Sequence, residues 1–296
     1  MKNAIKNIWK IICYPLMYLG VQIVVSFIYI FAVGIAFAVK HIFDNAISGG
    51  DFMFGSFDNF DNIEELIMSW VDIRIPVILS SVICFLIVWL IIRKQWKADK
   101  FWSAGNLRIS PPLLCISLGA ALNVLTICIL SMIPIAQQPQ PFDDIIGNNF
   151  IIDFIMVALL APVVEEIIFR GIVQKRLTKM MNARSAVFLQ ALIFGIVHLN
   201  LLQGVYAFVL GMIIGYIYHW FDSIWVAVIL HIAFNGTSIA LFYIFGDSDI
   251  NLFYFLAIAA VVFIFSMASL VAMAERVKKH EERESSITFY DNVDPY

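Results

Sequence analysis

Charge is scarce in this chain. Of its 296 residues, 14% are Asp, Glu, Lys or Arg and 61% are hydrophobic. Soluble domains carry about a quarter charged residues. Disordered chains need low hydrophobicity and high charge, so that class is excluded. The 19 basic residues are outnumbered by 22 acidic ones, for a net charge of -3. No basic face is left for a nucleic-acid partner. Cysteine is rare too. Cys13, Cys84, Cys115 and Cys128 lie in apolar runs without CxxC spacing. That excludes a disulfide-stapled secreted domain and a thiolate metal site.

What the chain has instead is long apolar runs. A membrane-crossing helix needs roughly 17–25 such residues. Eight segments qualify, at about 11–39, 75–92, 112–136, 151–173, 185–203, 205–220, 223–245 and 252–274. The expected fold is all-α and polytopic, with about eight transmembrane helices and membrane lipid as its surroundings. The first run follows Lys2, Lys6 and Lys10. It is far longer than a signal peptide's apolar region of roughly 7–15 residues, so it reads as a retained signal-anchor.

Basic residues set the orientation. One set of connections holds Lys2, Lys6 and Lys10; Arg93, Lys94, Lys97, Lys100 and Arg108; Lys175, Arg176, Lys179 and Arg184; and Arg276, Lys278, Lys279 and Arg283. The other side has only Lys40 and Arg74, while Arg170 lies within a span. Both termini are therefore expected in the cytoplasm, in a multi-pass protein of the cell membrane. The acidic 41–73 loop faces outward, and 275–296 is a polar cytoplasmic tail. Gly211-Met-Ile-Ile-Gly215 is a GxxxG pattern, which marks close helix packing.

A charged side chain near the bilayer centre costs roughly 2.5–3.5 kcal/mol, so each needs a partner or a hydrated cavity. Glu165, Glu166 and Arg170 lie in the fourth span, His198 in the fifth, and His231 with Asn235 in the seventh. At 100° per residue, Glu166 and Arg170 share a face in the favourable acid-first i,i+4 order. Glu165 points about 100° away, toward a cavity. Pro162 frees a backbone carbonyl one turn earlier. His231 and Asn235 share a face, as do Phe194 and His198. Counted from Lys175, Asp222 and Ser185, Glu165, His231 and His198 lie about 15, 14 and 20 Å inside the cytoplasmic end.

A carboxylate with two imidazoles and an amide suits hydrolysis. Glu165 takes a proton from water, and His198 holds that water and protonates the leaving amine. His231 and Asn235 donate hydrogen bonds to the oxyanion. The same Glu165, His198 and His231 also make a two-histidine, one-carboxylate set for zinc, with an open position for water. Cofactor use, none or zinc, stays open. HExxH and GxGD patterns are missing, which excludes several other intramembrane hydrolases.

Glu165-Glu166-Ile-Ile-Phe-Arg170, Phe194-Gly-Ile-Val-His198 and His231-Ile-Ala-Phe-Asn235 resemble the EExxxR, FxxxH and HxxxN motifs of the CPBP family. These are the CAAX protease and bacteriocin-processing (Abi) intramembrane proteases. The resemblance covers about residues 150–240. It implies an intramembrane endopeptidase whose water-activating glutamate is Glu165 with His198 as partner. It also implies His231 and Asn235 as the oxyanion pair, and Glu166, Arg170 and Phe194 as supporting residues. The family has been described both as metalloproteases and as metal-free glutamate proteases. A peptide or membrane-protein substrate follows, prenylated or bacteriocin-related in the family. The chain then divides into three N-terminal spans (1–149), a CPBP-like catalytic core (150–245), a last span (246–274) and the tail. Two rivals stand beside the enzyme: a non-catalytic immunity or scaffold protein, and a proton-coupled transporter.

Overall fold

The computed structural model describes residues 2–47, 69–98, 110–134, 149–246 and 252–293. Helices account for nearly all of them, and none of the described residues is in a strand. In chain order they are α1 (Lys2–Ile47), α2 (Arg74–Ala98) and α3 (Ser110–Leu130). Then follow α4, an uninterrupted helical run over 150–177, and α5 (Ala183–Ile196). The last are α6 (Leu201–Phe221), α7 (Ile224–Phe245) and α8 (Leu252–Val293).

The protein is an all-α, polytopic membrane protein. Among the described residues, six helices are long and apolar enough to cross a membrane. Their outer faces are greasy: on α1, Phe27 is 74% and Phe31 64% exposed, and on α8 Val261 and Phe265 are each 67% exposed. Continuous apolar surface of that kind is tolerated when lipid, not water, covers it.

Two apolar cores share the interior. One joins α1, α2, α4 and α5, with Ala207 of α6 and Ile224 and Val228 of α7, around Tyr18, Val88, Ile168, Phe169 and Phe194. The other joins α3, α6, α7 and α8 around Leu118, Ile214, Leu230 and Leu270. Helix α4 is the innermost rod. Every residue of Ile167–Gln174 is buried. An all-round buried helix must be apolar on every face or find partners for its polar groups. Glycine sets the closest approaches. A Cβ on Gly119 of α3 would collide with the Leu230 carbonyl of α7. A Cβ on Gly211 would lie 3.2 Å from Ala191 on α5, so the GxxxG stripe does seat α6 against α5.

The fifth and sixth spans differ from the sequence expectation of 185–203 and 205–220. Helix α5 has 14 residues, roughly 21 Å, which is short of a hydrocarbon core of about 30 Å. The chain turns at 197–200, and α6 starts at Leu201. Asn200 ends the run because its side chain accepts from the Gln203 N–H and caps α6. Leu199 takes the left-handed backbone, with φ of 55°. His198 therefore sits in the turn beyond α5, not inside a span. Other boundaries move as well: α1 continues to Ile47, past the expected loop start at 41, and α2 to Ala98 rather than 92. Helix α3 ends at Leu130 rather than 136, and α8 continues through the expected tail to Val293.

Residues 48–68 of the acidic 41–73 loop lie outside the described residues. At its far end Asp72 pairs with Arg74 at 2.6 Å. The hydrogen bond from that guanidinium holds the Asp72 carboxyl below its usual range. The Asp72 N–H donates to Tyr29 Oη at 3.0 Å, tying the start of α2 to α1.

Candidate active site

The polar residues of α4 are presented by an irregular helix. Phe154–Leu160 and Ile167–Gln174 are π-helical, with Ala161–Glu166 as an α-helical turn between them. Widened turns of this kind are rare and cluster at functional sites. Pro162 explains the first, because it has no N–H to continue the α-helical ladder. Glu165 and Glu166 follow directly on the regular turn.

Glu166 is fully buried and holds two partners on one oxygen. Arg170 Nη1 donates to its Oε1 at 2.8 Å, and His231 Nδ1 lies 2.7 Å from the same atom. The acid-first pair on one face is thus formed. Arg170 is also fully buried. Its Nη2 donates to the Gly211 carbonyl at 3.2 Å, and its guanidinium covers the Phe194 ring at 4.9 Å. Gln190 Nε2 donates to the same carbonyl at 2.9 Å. These bonds let a guanidinium stay in the interior, where an uncompensated charge costs several kcal/mol.

Glu165 points elsewhere. Its Oε1 accepts from the Tyr18 hydroxyl at 2.9 Å. Its Oε2 faces His231 Nε2 at 3.8 Å, and the side chain keeps 13% exposure. The two carboxylates therefore share His231, one on each ring nitrogen. An acceptor at Nδ1 fixes that proton there and aims Nε2 at Glu165.

His198 is held by α5. Its Nδ1 is 2.7 Å from the Phe194 carbonyl, which can only accept, so Nδ1 carries a proton. In the neutral ring Nε2 is then a free acceptor. The Phe194 ring meets His198 edge-on at 4.8 Å and His231 at 5.9 Å. Phe194 is thus the wall between the two imidazoles. It is His231, not His198, that stands directly opposite Glu165. Asn235 points its amide at α4: Nδ2 donates to the Val157 carbonyl at 2.9 Å.

The fit to zinc is incomplete. Glu165 Oε2 and His231 Nε2 are spaced as two ligands of one ion would be. Yet among the described residues no group of three or more His, Cys, Asp or Glu could hold a metal. His198 does not complete the set in this conformation.

Residues 147–237 match the family model described as type II CAAX prenyl endopeptidase Rce1-like. This segment is similar to that family. Glu165, Glu166, Arg170, Phe194, His198, His231 and Asn235 all lie within it. The matching family is described as one of endopeptidases, and the helices around the matched segment make the whole chain a multi-pass membrane protein. No curated protein and no solved structure matches the chain.

Tyr18 lies outside the Rce1-like segment and escaped the sequence reading. It sits on α1 in an apolar run with no motif. Gln22 follows it one turn on. That i,i+4 pair of polar groups in a span was the signal available.

Proposed function

We propose that this chain is an intramembrane endopeptidase that hydrolyses peptide bonds of membrane-associated substrates, with Glu165 as general base. The observation that carries the reading is the 3.8 Å gap between Glu165 Oε2 and His231 Nε2. Polar atoms beyond direct hydrogen-bond reach invite a bridging water. Glu165 is the carboxylate base and His231 the hydrogen-bond donor facing it across the gap.

In that arrangement Glu165 Oε2 takes one proton from the water as its oxygen bonds to the scissile carbonyl carbon. His231 Nε2–H faces the developing oxyanion. His198 Nε2 accepts the water's second proton in a hydrogen bond and orients the attack. The C–N bond then breaks as the proton on Glu165 passes to the leaving nitrogen, restoring the carboxylate. No metal is needed for these transfers. Both termini lie in the cytoplasm of a cell-membrane protein, and the substrate enters from that side. A helical substrate hides its carbonyls, so an unwound or C-terminal stretch is cleaved. A prenylated CAAX sequence is the substrate that the family's description names.

Purified protein in lipid nanodiscs is expected to cut at least one of three peptides: a prenylated C-terminal tail, the same tail without lipid, or a single-span helix with a flexible end. Mass spectrometry of new peptide ends reads the result. Intact protein that yields no new ends from all three overturns the peptidase reading and leaves the scaffold.

Tyr18 adds a test of the first helix. Tyr18→Phe removes one hydrogen bond from an ionised oxygen, worth about 1.5–3 kcal/mol. That bond weakens as Glu165 takes the proton, so if half of it survives in the transition state its removal is expected to raise kcat roughly three- to tenfold. KM is expected to hold, because the phenol touches the base rather than the substrate. A KM rise with unchanged kcat would place Tyr18 on the substrate instead.

A further inference from the structure

We propose that Asn235 is a positioning residue: its amide caps the Val157 carbonyl, which Pro162 leaves without a helical donor on the helix carrying Glu165. The argument starts from the backbone of α4. The Ala161 N–H, which an α-helix would give to Val157, goes one residue further back to the Met156 carbonyl. The next position ahead is Pro162, which has no N–H. The Val157 carbonyl thus has no donor from either the α-helical or the π-helical position. In the membrane interior no water is at hand to replace it, and an unmet carbonyl there is costly.

Asn235 Nδ2 supplies the missing donor at 2.9 Å. A carbonyl only accepts, so the amide must turn its NH2 toward it. The seat is tight. Next to Asn235, a Cβ on Gly236 would lie 2.9 Å from the Phe154 ring at the start of the same π-helical stretch. Asn235 lies one turn after His231 on α7, and Val157 lies two turns before Glu165 on α4. The bond therefore clamps α4 to α7 beside the Glu165–His231 gap. It sets the width of that gap without touching the reacting atoms.

The competing role, oxyanion donor, would use the amide's second N–H. A double-mutant cycle separates the two. In the native background, Asn235→Ala is expected to lower Tm by at least about 2 °C. It is also expected to lower kcat by up to roughly 10²-fold through misplacement. Pro162→Ala restores an N–H that can reach the Val157 carbonyl. In that background, Asn235→Ala is expected to change Tm and kcat little, kcat by no more than about twofold. Equal losses in both backgrounds overturn the proposal and return Asn235 to the oxyanion. Asn235→Ser, with its shorter donor, replaces the alanine variant should that one not accumulate. The kinetic arm rests on the peptidase reading. The thermal arm does not, so it decides the question even for a chain that turns over nothing.

Discussion

Glu165→Gln is expected to leave the helix bundle intact and to slow peptide hydrolysis by roughly 10²–10⁴-fold. The two side chains have the same shape. The amide oxygen can still accept from the Tyr18 hydroxyl, which now bonds Oε1 at 2.9 Å. No buried ion loses its only partner, because Arg170 pairs with Glu166 rather than Glu165. What goes is the basic oxygen facing His231, the atom to which the proposed mechanism sends the water's proton. Circular dichroism and Tm on the same preparation used for kcat/KM keep folding and chemistry apart. A variant with native Tm and native turnover would remove Glu165 from the role of base. An unchanged His198→Gln, beside an inactive Glu165→Gln, would restrict the water site to Glu165 and His231.

The largest stability effect belongs to Arg170→Met. Arg170 and Glu166 are both fully buried, 2.8 Å apart. Replacing only the cation by an apolar chain of similar length leaves Glu166 with His231 as its one ionic partner. Breaking a buried pair from one side costs about 3–5 kcal/mol, since a charge is stranded in the interior. Two smaller losses add to it: the bond to the Gly211 carbonyl and the guanidinium's contact with Phe194. Removing both charges, as Glu166→Leu with Arg170→Met, is expected to cost less than the sum of the single changes. Reversible unfolding in mixed micelles measures all three. An Arg170→Met variant within ~1 kcal/mol of wild type would show that the pair is open to water.

Much of this site was legible beforehand because it depends on short-range geometry. Glu166 and Arg170 stand four residues apart on one helix, so their pairing needs no knowledge of neighbours. The polytopic all-α class follows from composition alone, since lipid sets the length and apolarity of each crossing. The break between α5 and α6 was harder to see. His198, Leu199 and Asn200 interrupt two apolar runs too briefly to disturb an average over either. The capping side chain of Asn200 was the local clue.

The α4 register was illegible for a different reason. Pro162 announces a freed carbonyl, but which carbonyl loses its donor depends on whether the turn before it is α- or π-helical. That choice is made by what packs against Phe154 and Val157, namely Gly236 and Asn235 from a helix some eighty residues later. Tyr18 is further still, 147 residues from Glu165 in sequence and 2.9 Å in space. A phenol in an apolar run carries no mark of the carboxylate it meets.

By itself, the order of residues determined that the chain is a bundle of membrane helices and that acids, imidazoles and an amide are buried in it. Hydrophobic length and helical periodicity are local, and burial of a charge is unfavourable wherever it occurs. Only the tertiary structure decided who faces whom. It set His231 between two carboxylates, turned Asn235 to a backbone carbonyl and brought α1 to the site. Those outcomes depend on crossing distances between helices, which close packing at glycines sets and which no single segment encodes.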